Sequence, residues 1–180
     1  MAVQILIGVV AVVALFVVVV ATRPAKFHIE RSIAIAAPPA KVFANVNDFH
    51  KWVAWSPWEA LDPTMKKTFE GAPEGVGSIY SWVGNAKVGE GRMTIERSVA
   101  PSVVGLKLEF FKPWAATNAT TFSFDSAAEG TKVVWAMEGT HNFSAKAFSV
   151  FMNMDKLVGR DFERGLVALK KVAESPTTAA

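Results

Sequence analysis

Residues 153–174, NMDKLVGRDFERGLVALKKVAE, decide how this chain folds. Apolar side chains recur along this segment at steps of three and four, and charged side chains fall between them, which predicts a helix with one apolar stripe. The stripe consists of Val158, Phe162, Leu166, Leu169 and Val172. Because such a stripe needs a partner, we expect either a sheet or a bound molecule to cover it.

Two glycines interrupt the stripe. Gly159 lies three residues before Phe162, and Gly165 lies three residues after it. Each glycine costs roughly 1 kcal/mol relative to alanine inside a helix. Positions three apart are neighbours on a helix surface, so Phe162 is expected to stand between two gaps. We therefore predict a close neighbour at this face, either a ligand in a cavity or a sheet in ordinary helix-on-sheet packing.

The composition narrows the function classes. The chain has 180 residues, of which 51% are hydrophobic, enough for one domain of ordinary size with an appendage. The formal net charge is only +3, and the basic residues are scattered among acidic ones, which argues against a nucleic-acid partner. The absence of cysteine excludes disulfides, thiolate zinc sites and cysteine nucleophiles.

The N-terminal segment predicts a membrane anchor. Gln4 carries the only polar side chain in residues 1–21, and about twenty residues at ~1.5 Å each cross a ~30 Å hydrocarbon layer. We predict an uncleaved anchor over residues 1–22 and a linker over residues 23–26. A cleaved signal peptide is the alternative, although its apolar run is typically shorter and follows a basic residue. Arg23 and Lys26 follow the span and no charged side chain precedes it, which predicts a single-pass protein with a cytoplasmic domain.

Residues 27–174 are predicted to form one domain. A first strand is expected over residues 27–35, a helix from Pro39 to about Asn47, and a second short helix at the start of residues 49–58. Short alternating runs separated by Gly, Pro and Asn then predict six strands, at residues 66–70, 78–83, 88–98, 103–111, 118–125 and 131–140. A helix over residues 144–154, capped by Ser144, precedes the final helix, and residues 175–180 are expected to be a disordered tail. The fold class is α+β, because no crossover helices separate consecutive strands.

Five segments of this domain resemble one known superfamily. They are SIAIAAPPAKVF (32–43), WSPWEALDP (55–63), GVGSIYSWVGN (75–85), GEGRMTI (89–95) and MDKLVGRDFERGLVALK (154–170). The chain is similar in these segments to the START-like or SRPBCC superfamily, and within it to the branch called polyketide cyclase/dehydrase and lipid transport. The resemblance implies a helix-grip fold, in which a bent antiparallel sheet surrounds the C-terminal helix with a hydrophobic cavity between them.

Large apolar side chains from several strands could converge over the final helix. We predict that these residues line a ligand site: Tyr80, Trp82, Met93, Leu108, Phe110, Phe122, Phe124, Trp135, Met137, His141 and Phe162. Large flexible or flat side chains suit an irregular apolar pocket, but they equally suit a solid core. Trp55 and Trp58 allow a third interpretation, a position at the lipid interface, where tryptophan is favoured.

Few side chains could act as an acid or base near neutral pH. The chain has three histidines, His28, His50 and His141, and one tyrosine, Tyr80. The pattern places His28 and His50 at the surface and His141 at a strand end, on the same face as Trp135. No spacing indicates a metal site, and we predict neither metal nor cofactor.

We therefore expect the protein to bind or transport a hydrophobic small molecule or lipid in an internal cavity at the membrane. The alternative is a polyketide cyclase or dehydratase-like enzyme acting on an aromatic or hydrophobic substrate. In that case His141 or Tyr80 would move a proton, with Arg92 or Glu96 as a partner for Tyr80.

Overall fold

The computed structural model describes residues 1–176. Its helices are α1 (Ala2–Thr22), α2 (Pro39–Val46), α3 (Phe143–Phe151) and α4 (Met154–Glu174), with a short 3₁₀ helix at Phe49–Ala54. Its strands are β1 (Lys26–Ile35), β2 (Lys66–Gly71), β3 (Ser78–Val83), β4 (Glu90–Val99), β5 (Val103–Lys112), β6 (Ala116–Ala127) and β7 (Gly130–Thr140). The tail predicted over residues 175–180 lies outside the described residues from position 177 onward.

The strands form one antiparallel sheet in the order β1-β7-β6-β5-β4-β3-β2. The strands β2 to β7 follow one another as a meander, and β1 joins at the far edge by pairing with β7. The helix α4 lies on one face of this sheet, packed mainly against β1. The predicted α+β helix-grip fold is therefore confirmed.

Alternation along the strands divides the sheet into an inner face toward α4 and an outer face toward solvent. Phe122 and Phe124 of β6, with Trp135 of β7, are buried as the alternation predicts. Phe162 of α4 meets them from the other side and is almost completely buried. The apolar stripe of the final helix is therefore covered by the sheet.

The two glycine gaps of α4 are filled by protein side chains. A methyl group at Gly159 would lie 2.1 Å from a guanidinium nitrogen of Arg31, and one at Gly165 would lie 2.8 Å from the ring of Trp135 and 3.0 Å from Pro57. Real side chains do not approach so closely, so any side chain here would displace its neighbour. Of the two interpretations of these gaps, helix-on-sheet packing is correct at both positions.

Arg31 links the edge strand β1 to α4 by hydrogen bonds. Its guanidinium donates to the carboxylate of Asp155 at 3.1 Å and to that of Glu163 at 2.8 Å. The same hydrogen bonds from Arg31 lower the pKa of the Asp155 carboxyl below its usual value. The space left by Gly159 is what allows the guanidinium to lie against the helix.

All elements near α1 meet at one end of the sheet, which we call the mouth end. Here β1 begins, β7 ends and the loops β3–β4 and β5–β6 turn, as the strand registers require. The helix α4 begins at this end and runs to the opposite end, where Glu174 accepts a hydrogen bond from the Ala36 N–H at 2.6 Å. The helix α1 is long and apolar enough to cross a membrane, and its last turn buries Val20 where α1 packs against α3.

One helix cap differs from the prediction. The helix α3 begins at Phe143, and the side chain of Asn142 caps it by accepting from the Ala145 N–H at 2.9 Å. Ser144, the predicted cap, lies inside the helix. Asparagine and serine are both good N-caps, so the sequence allowed either start and only the fold selects Asn142.

Candidate ligand site at the mouth end of the sheet

The centre of the inner face is a solid aromatic core. Trp135 is stacked on Phe162 with ring centroids 4.1 Å apart, and Phe122 lies 4.7 Å from the Trp135 ring. Trp55 and Trp58 contact the same indole edge-on, at 5.9 and 5.7 Å. Close packing leaves no room for a ligand between the faces of these rings. The interpretation of Trp55 as a lipid-interface residue is therefore wrong, since its side chain is buried in this core. Trp58 is only partly buried against the core, and for this residue the interpretation stays a prediction.

The aromatic packing continues toward β2. Tyr80 is stacked between Phe69 at 5.2 Å and Trp82 at 5.9 Å. The Trp82 indole donates to the Val88 carbonyl at 3.0 Å, and Met93 is buried on the neighbouring strand. These predicted site residues are inward-facing, and they too contribute to the core.

The mouth end is less completely filled. Leu108 and Phe110 of β5 are only half-buried, although they share the inner face with buried neighbours. Phe27 of β1 is stacked on His141 with ring centroids 4.7 Å apart, and Met137 is buried beside them in the register of the sheet. The structure thus divides the predicted site. Its central members form core, and we give the name apolar wall to the members nearer the mouth end, which are Leu108, Phe110, Met137 and His141.

Two polar side chains lie beside this wall on the inner face, near the mouth end. Asn118 and Thr120 of β6 are buried and share the inner face with Phe122. Within residues 1–176, the Thr120 hydroxyl and the indole nitrogen of Trp135 have no hydrogen-bond partner. Thr120 pairs with Met137 in the sheet, so Thr120 and Trp135 are diagonal neighbours on adjacent strands.

Leaving such a group unpaired costs about 1–3 kcal/mol, which makes these two atoms candidate anchor points for a bound molecule on the inner face. The Ser81 hydroxyl is also unpaired, but it lies on the outer face. Sequence reasoning missed Asn118 and Thr120. The alternation that placed Phe122 inward also places both of them inward, so the signal was present.

His141 lies at the end of β7, close to the segment that follows α1. Its backbone N–H donates to the Ala25 carbonyl at 2.7 Å, which ties the end of β7 to the linker after α1. Burial, aided by the positive charge of Lys146, lowers the pKa of the His141 imidazole, so the ring is neutral at pH 7. The ring borders a groove of about 490 Å³ between the start of β1 and the α3–α4 junction. This groove is lined by Arg23, Phe27, His28, Ile29, His141, Ser149, Val150, Met152, Asn153, Met154 and Asp155.

The helix α3 and the β5–β6 loop meet above the mouth. Trp114 of the loop contacts Phe148 of α3 with ring centroids 5.9 Å apart. The helix α3 packs chiefly against α1 rather than against the sheet. The position of α3 is therefore set by its packing on α1 and by the contact between Phe148 and Trp114.

The outer face carries charges that do not enter this site. Arg92 and Glu96 are exposed on β4, opposite in alternation to the buried Met93, so neither accompanies Tyr80 as the enzyme hypothesis required. A groove of about 750 Å³ at the mouth end is bordered by outward-facing side chains that include Lys107 and Glu138. These charges lie on the side of the sheet away from α4.

The remaining acid–base candidates are also accounted for. His28 and His50 are exposed, as predicted, and each is hydrogen-bonded to a nearby carboxylate. Burial, together with the charge of Glu59, raises the pKa of the Tyr80 hydroxyl, so it stays protonated. Among residues 1–176, no group of three His, Asp or Glu side chains is placed to hold a metal ion.

Comparisons with known proteins agree with this architecture. The family model described as polyketide cyclase/dehydrase and lipid transport matches residues 26–174. A search of curated proteins finds no significant match. Similar solved structures include CV1439 from Chromobacterium violaceum, with a TM-score of 0.59 and 15% identity over 85% of this chain and 100% of that chain.

Two further solved structures are similar. The Aha1 dimer from Colwellia psychrerythraea has a TM-score of 0.59 and 17% identity, over 82% of this chain and 96% of that one. The di-domain ARO/CYC protein BexL from the BE-7585A biosynthetic pathway has a TM-score of 0.61 and 13% identity, over 89% of this chain and 54% of that one. At these identities the likeness establishes the fold alone.

Proposed function

Because the chain belongs to the polyketide cyclase/dehydrase and lipid transport family, we propose that it binds or transports a hydrophobic small molecule or lipid between the mouth end of the sheet and α3. One observation carries this proposal. The Thr120 hydroxyl and the Trp135 indole are buried without partners beside an apolar wall, which suits a mostly apolar ligand with one polar group.

The polar atoms define the chemistry of the ligand. An indole N–H can only donate, so the ligand needs an acceptor such as a carbonyl oxygen near Trp135. The Thr120 hydroxyl and the Asn118 amide can donate or accept, and they fit the same acceptor or a neighbouring hydroxyl. Leu108 and Phe110 would cover the apolar part of the molecule.

The anchor supports a ligand that partitions into membranes. The helix α1 is long and apolar enough to span a bilayer, and a tether raises the effective concentration of a domain near its source of ligand. We propose that the protein is single-pass, with residues 1–22 as the anchor and residues 27–174 as the binding domain. Arg23 and Lys26 favour a cytoplasmic location for that domain.

A pair of matched variants tests the ligand site. The full chain is purified in detergent, and its bound small molecules are extracted and identified by mass spectrometry. We expect Thr120→Val to retain about tenfold less ligand, because losing one buried hydrogen bond costs about 1 kcal/mol or somewhat more. Thr121→Val is the control, since Thr121 is the next residue along β6 and lies on the outer face.

The stability of the Thr120→Val variant distinguishes a ligand site from ordinary core packing. If Thr120 only fills core, removing its unpaired hydroxyl stabilises the protein and changes no bound molecule. Leu108→Trp, which fills the wall, should also displace the ligand. Identical extracts from the wild type, Thr120→Val and Leu108→Trp would contradict the proposal.

The enzyme alternative keeps one supporting observation. Among the described residues, His141 is the histidine on the inner side of the mouth, and its lowered pKa leaves a neutral imidazole that could accept a proton. The relatives in solved structures include di-domain ARO/CYC proteins. If the protein is a cyclase or dehydratase, turnover of a polyketide-like substrate must fall in the combined variant His141→Ala with Tyr80→Phe. Turnover unaffected by both changes ends this version of the alternative.

A further inference from the structure

The exposed aromatic side chains are concentrated at the mouth end. Of the described Phe and Trp residues, four are exposed: Phe111 (42%), Trp114 (68%), Phe143 (54%) and Phe148 (40%). Phe111 and Trp114 lie at the end of β5 and in the β5–β6 loop, and the other two lie on α3. Exposed Met152 follows directly after α3. A soluble surface rarely gathers so many large apolar side chains unless something covers them.

The opposite end of the sheet is different. Its exposed large apolar side chains include Val76 in the β2–β3 loop and Val99 at the end of β4, which are small and separate. Single exposed valines are ordinary on soluble proteins. The aromatic cluster is therefore specific to the end that carries the anchor.

The anchor places this cluster beside the bilayer. The helix α1 ends at Thr22 and β1 begins at Lys26, so only three residues separate them. Three residues span roughly 10 Å at most. The last turn of α1 also packs on α3, with Val20 buried in the contact. Once α1 crosses a membrane, α3 must lie at or near the membrane surface.

Charge around the cluster fits lipid headgroups. Arg23, Lys26, Lys87, Lys146 and Lys156 lie at the mouth end, and within the described part of the chain none of them forms a salt bridge. Unpaired cations next to a membrane are attracted to anionic headgroups. Tryptophan and phenylalanine beside such cations are typical of surfaces that lie in the membrane interface.

We propose that Trp114, Phe143, Phe148 and Met152, which we call the rim, insert into the anionic headgroup region of the bilayer that α1 crosses. Trp114 and Phe148 contact each other above the mouth. Insertion of the rim would therefore place the mouth end of the sheet directly against the lipid. The proposal depends on the anchor and on no property of the ligand site, so either can fail without the other.

The cysteine-free sequence permits a direct test. Single cysteines replace Trp114, Phe143 or Phe148, or Val76 or Val99 as controls, in the full chain. Each variant is spin-labelled and reconstituted into vesicles of phosphatidylcholine and phosphatidylglycerol. Accessibility to oxygen, which concentrates in the bilayer, is compared with accessibility to a water-soluble nickel complex. We expect rim labels to favour oxygen and the Val76 and Val99 labels to favour nickel.

Lipid charge gives a second readout. Vesicles of phosphatidylcholine alone should shift the rim labels toward nickel. Lys146→Gln should produce part of that shift, whereas Lys132→Gln, at the opposite end of β7, should produce none. Two results would overturn the proposal. The first is that rim labels collide with nickel as often as the Val76 label does. The second is that rim labels are shielded from both reagents and broadened as protein density rises, which would mean that a second copy covers the rim.

Discussion

Gly159 leaves a space on the surface of α4 that one side chain, that of Arg31, fills. The guanidinium of Arg31 occupies the place of the missing side chain and from there reaches Asp155 and Glu163. A larger residue at position 159 would meet the end of the Arg31 side chain, which can move aside because it is flexible. It would instead separate the guanidinium from one or both carboxylates.

A double-mutant cycle measures this coupling. We expect Gly159→Ala to destabilise the protein by about 1 kcal/mol, because the displaced Arg31 loses hydrogen bonds to charged partners. In an Arg31→Ala background the same change should stabilise by up to about 1 kcal/mol, because alanine is the better helix former. Urea denaturation of the four proteins gives the coupling free energy. Equal effects of Gly159→Ala in both backgrounds would show that Arg31 is not what the glycine accommodates.

At the residue scale, the sequence predicts orientation better than contact. Alternation placed Phe122, Trp135 and Met137 on the inner face, and all three are buried there. Arg31 lies on the inward side of β1, but spacing alone cannot identify the carboxylates of a distant helix as its partners. For the same reason the glycines predicted a close neighbour without distinguishing a ligand from a side chain.

Among the elements, α3 is the one whose stability is most local. Its closest packing partner is α1, and Asn142 caps its first turn. We expect Asn142→Ala to cost about 1 kcal/mol of local stability and to speed amide hydrogen exchange in α3 alone. Asn153→Ala, which removes the equivalent cap of α4, is the control and should lower global stability, because α4 is part of the core. Unchanged exchange in α3, or equal acceleration in both helices, would contradict this distinction.

The start of β4 shows how an apolar residue can lead to a wrong strand boundary. The strand expected from Val88 begins instead at Glu90. Val88 is buried in the β3–β4 loop, where its carbonyl accepts from the Trp82 indole, so its apolar side chain reflects packing of the loop and not a strand. Asp62 fixes the same loop by accepting from the Asn85 N–H at 2.7 Å. Such long-range contacts are invisible in a local pattern.

For the whole molecule, the fold was predictable but the filling of its interior was not. Segments with the right periodicities in the right order predict a sheet around a final helix. Whether aromatic side chains then leave a cavity depends on distances of a few tenths of an ångström between side chains far apart in the chain. Trp135 and Phe162 close the centre, and the unpaired Thr120 hydroxyl lies toward the mouth, so the candidate site occupies one end of the grip rather than its middle.

We propose an orientation for the whole molecule from the charge that lies next to α1. Beyond Arg23 and Lys26, the structure brings Lys87, Lys146 and Lys156 to the same side of α1. The tendency of basic residues to stay in the cytoplasm depends mainly on those that are close to a span along the chain. The bias therefore depends on Arg23 and Lys26, because Lys87, Lys146 and Lys156 are close to α1 in the fold but far from it along the chain.

Labelling of intact cells decides the orientation. In cells that express Val99→Cys, a maleimide that cannot cross membranes should react only after permeabilisation, because Val99 would be cytoplasmic. Gln4→Cys, at the other end of α1, should react more readily in intact cells, because it would lie near the outer surface. The pair also tests the signal-peptide alternative, since cleavage would remove the Gln4→Cys label from the mature protein. Reaction of Val99→Cys in intact cells would mean that the domain faces outward, and the cations of the mouth end would then need another explanation.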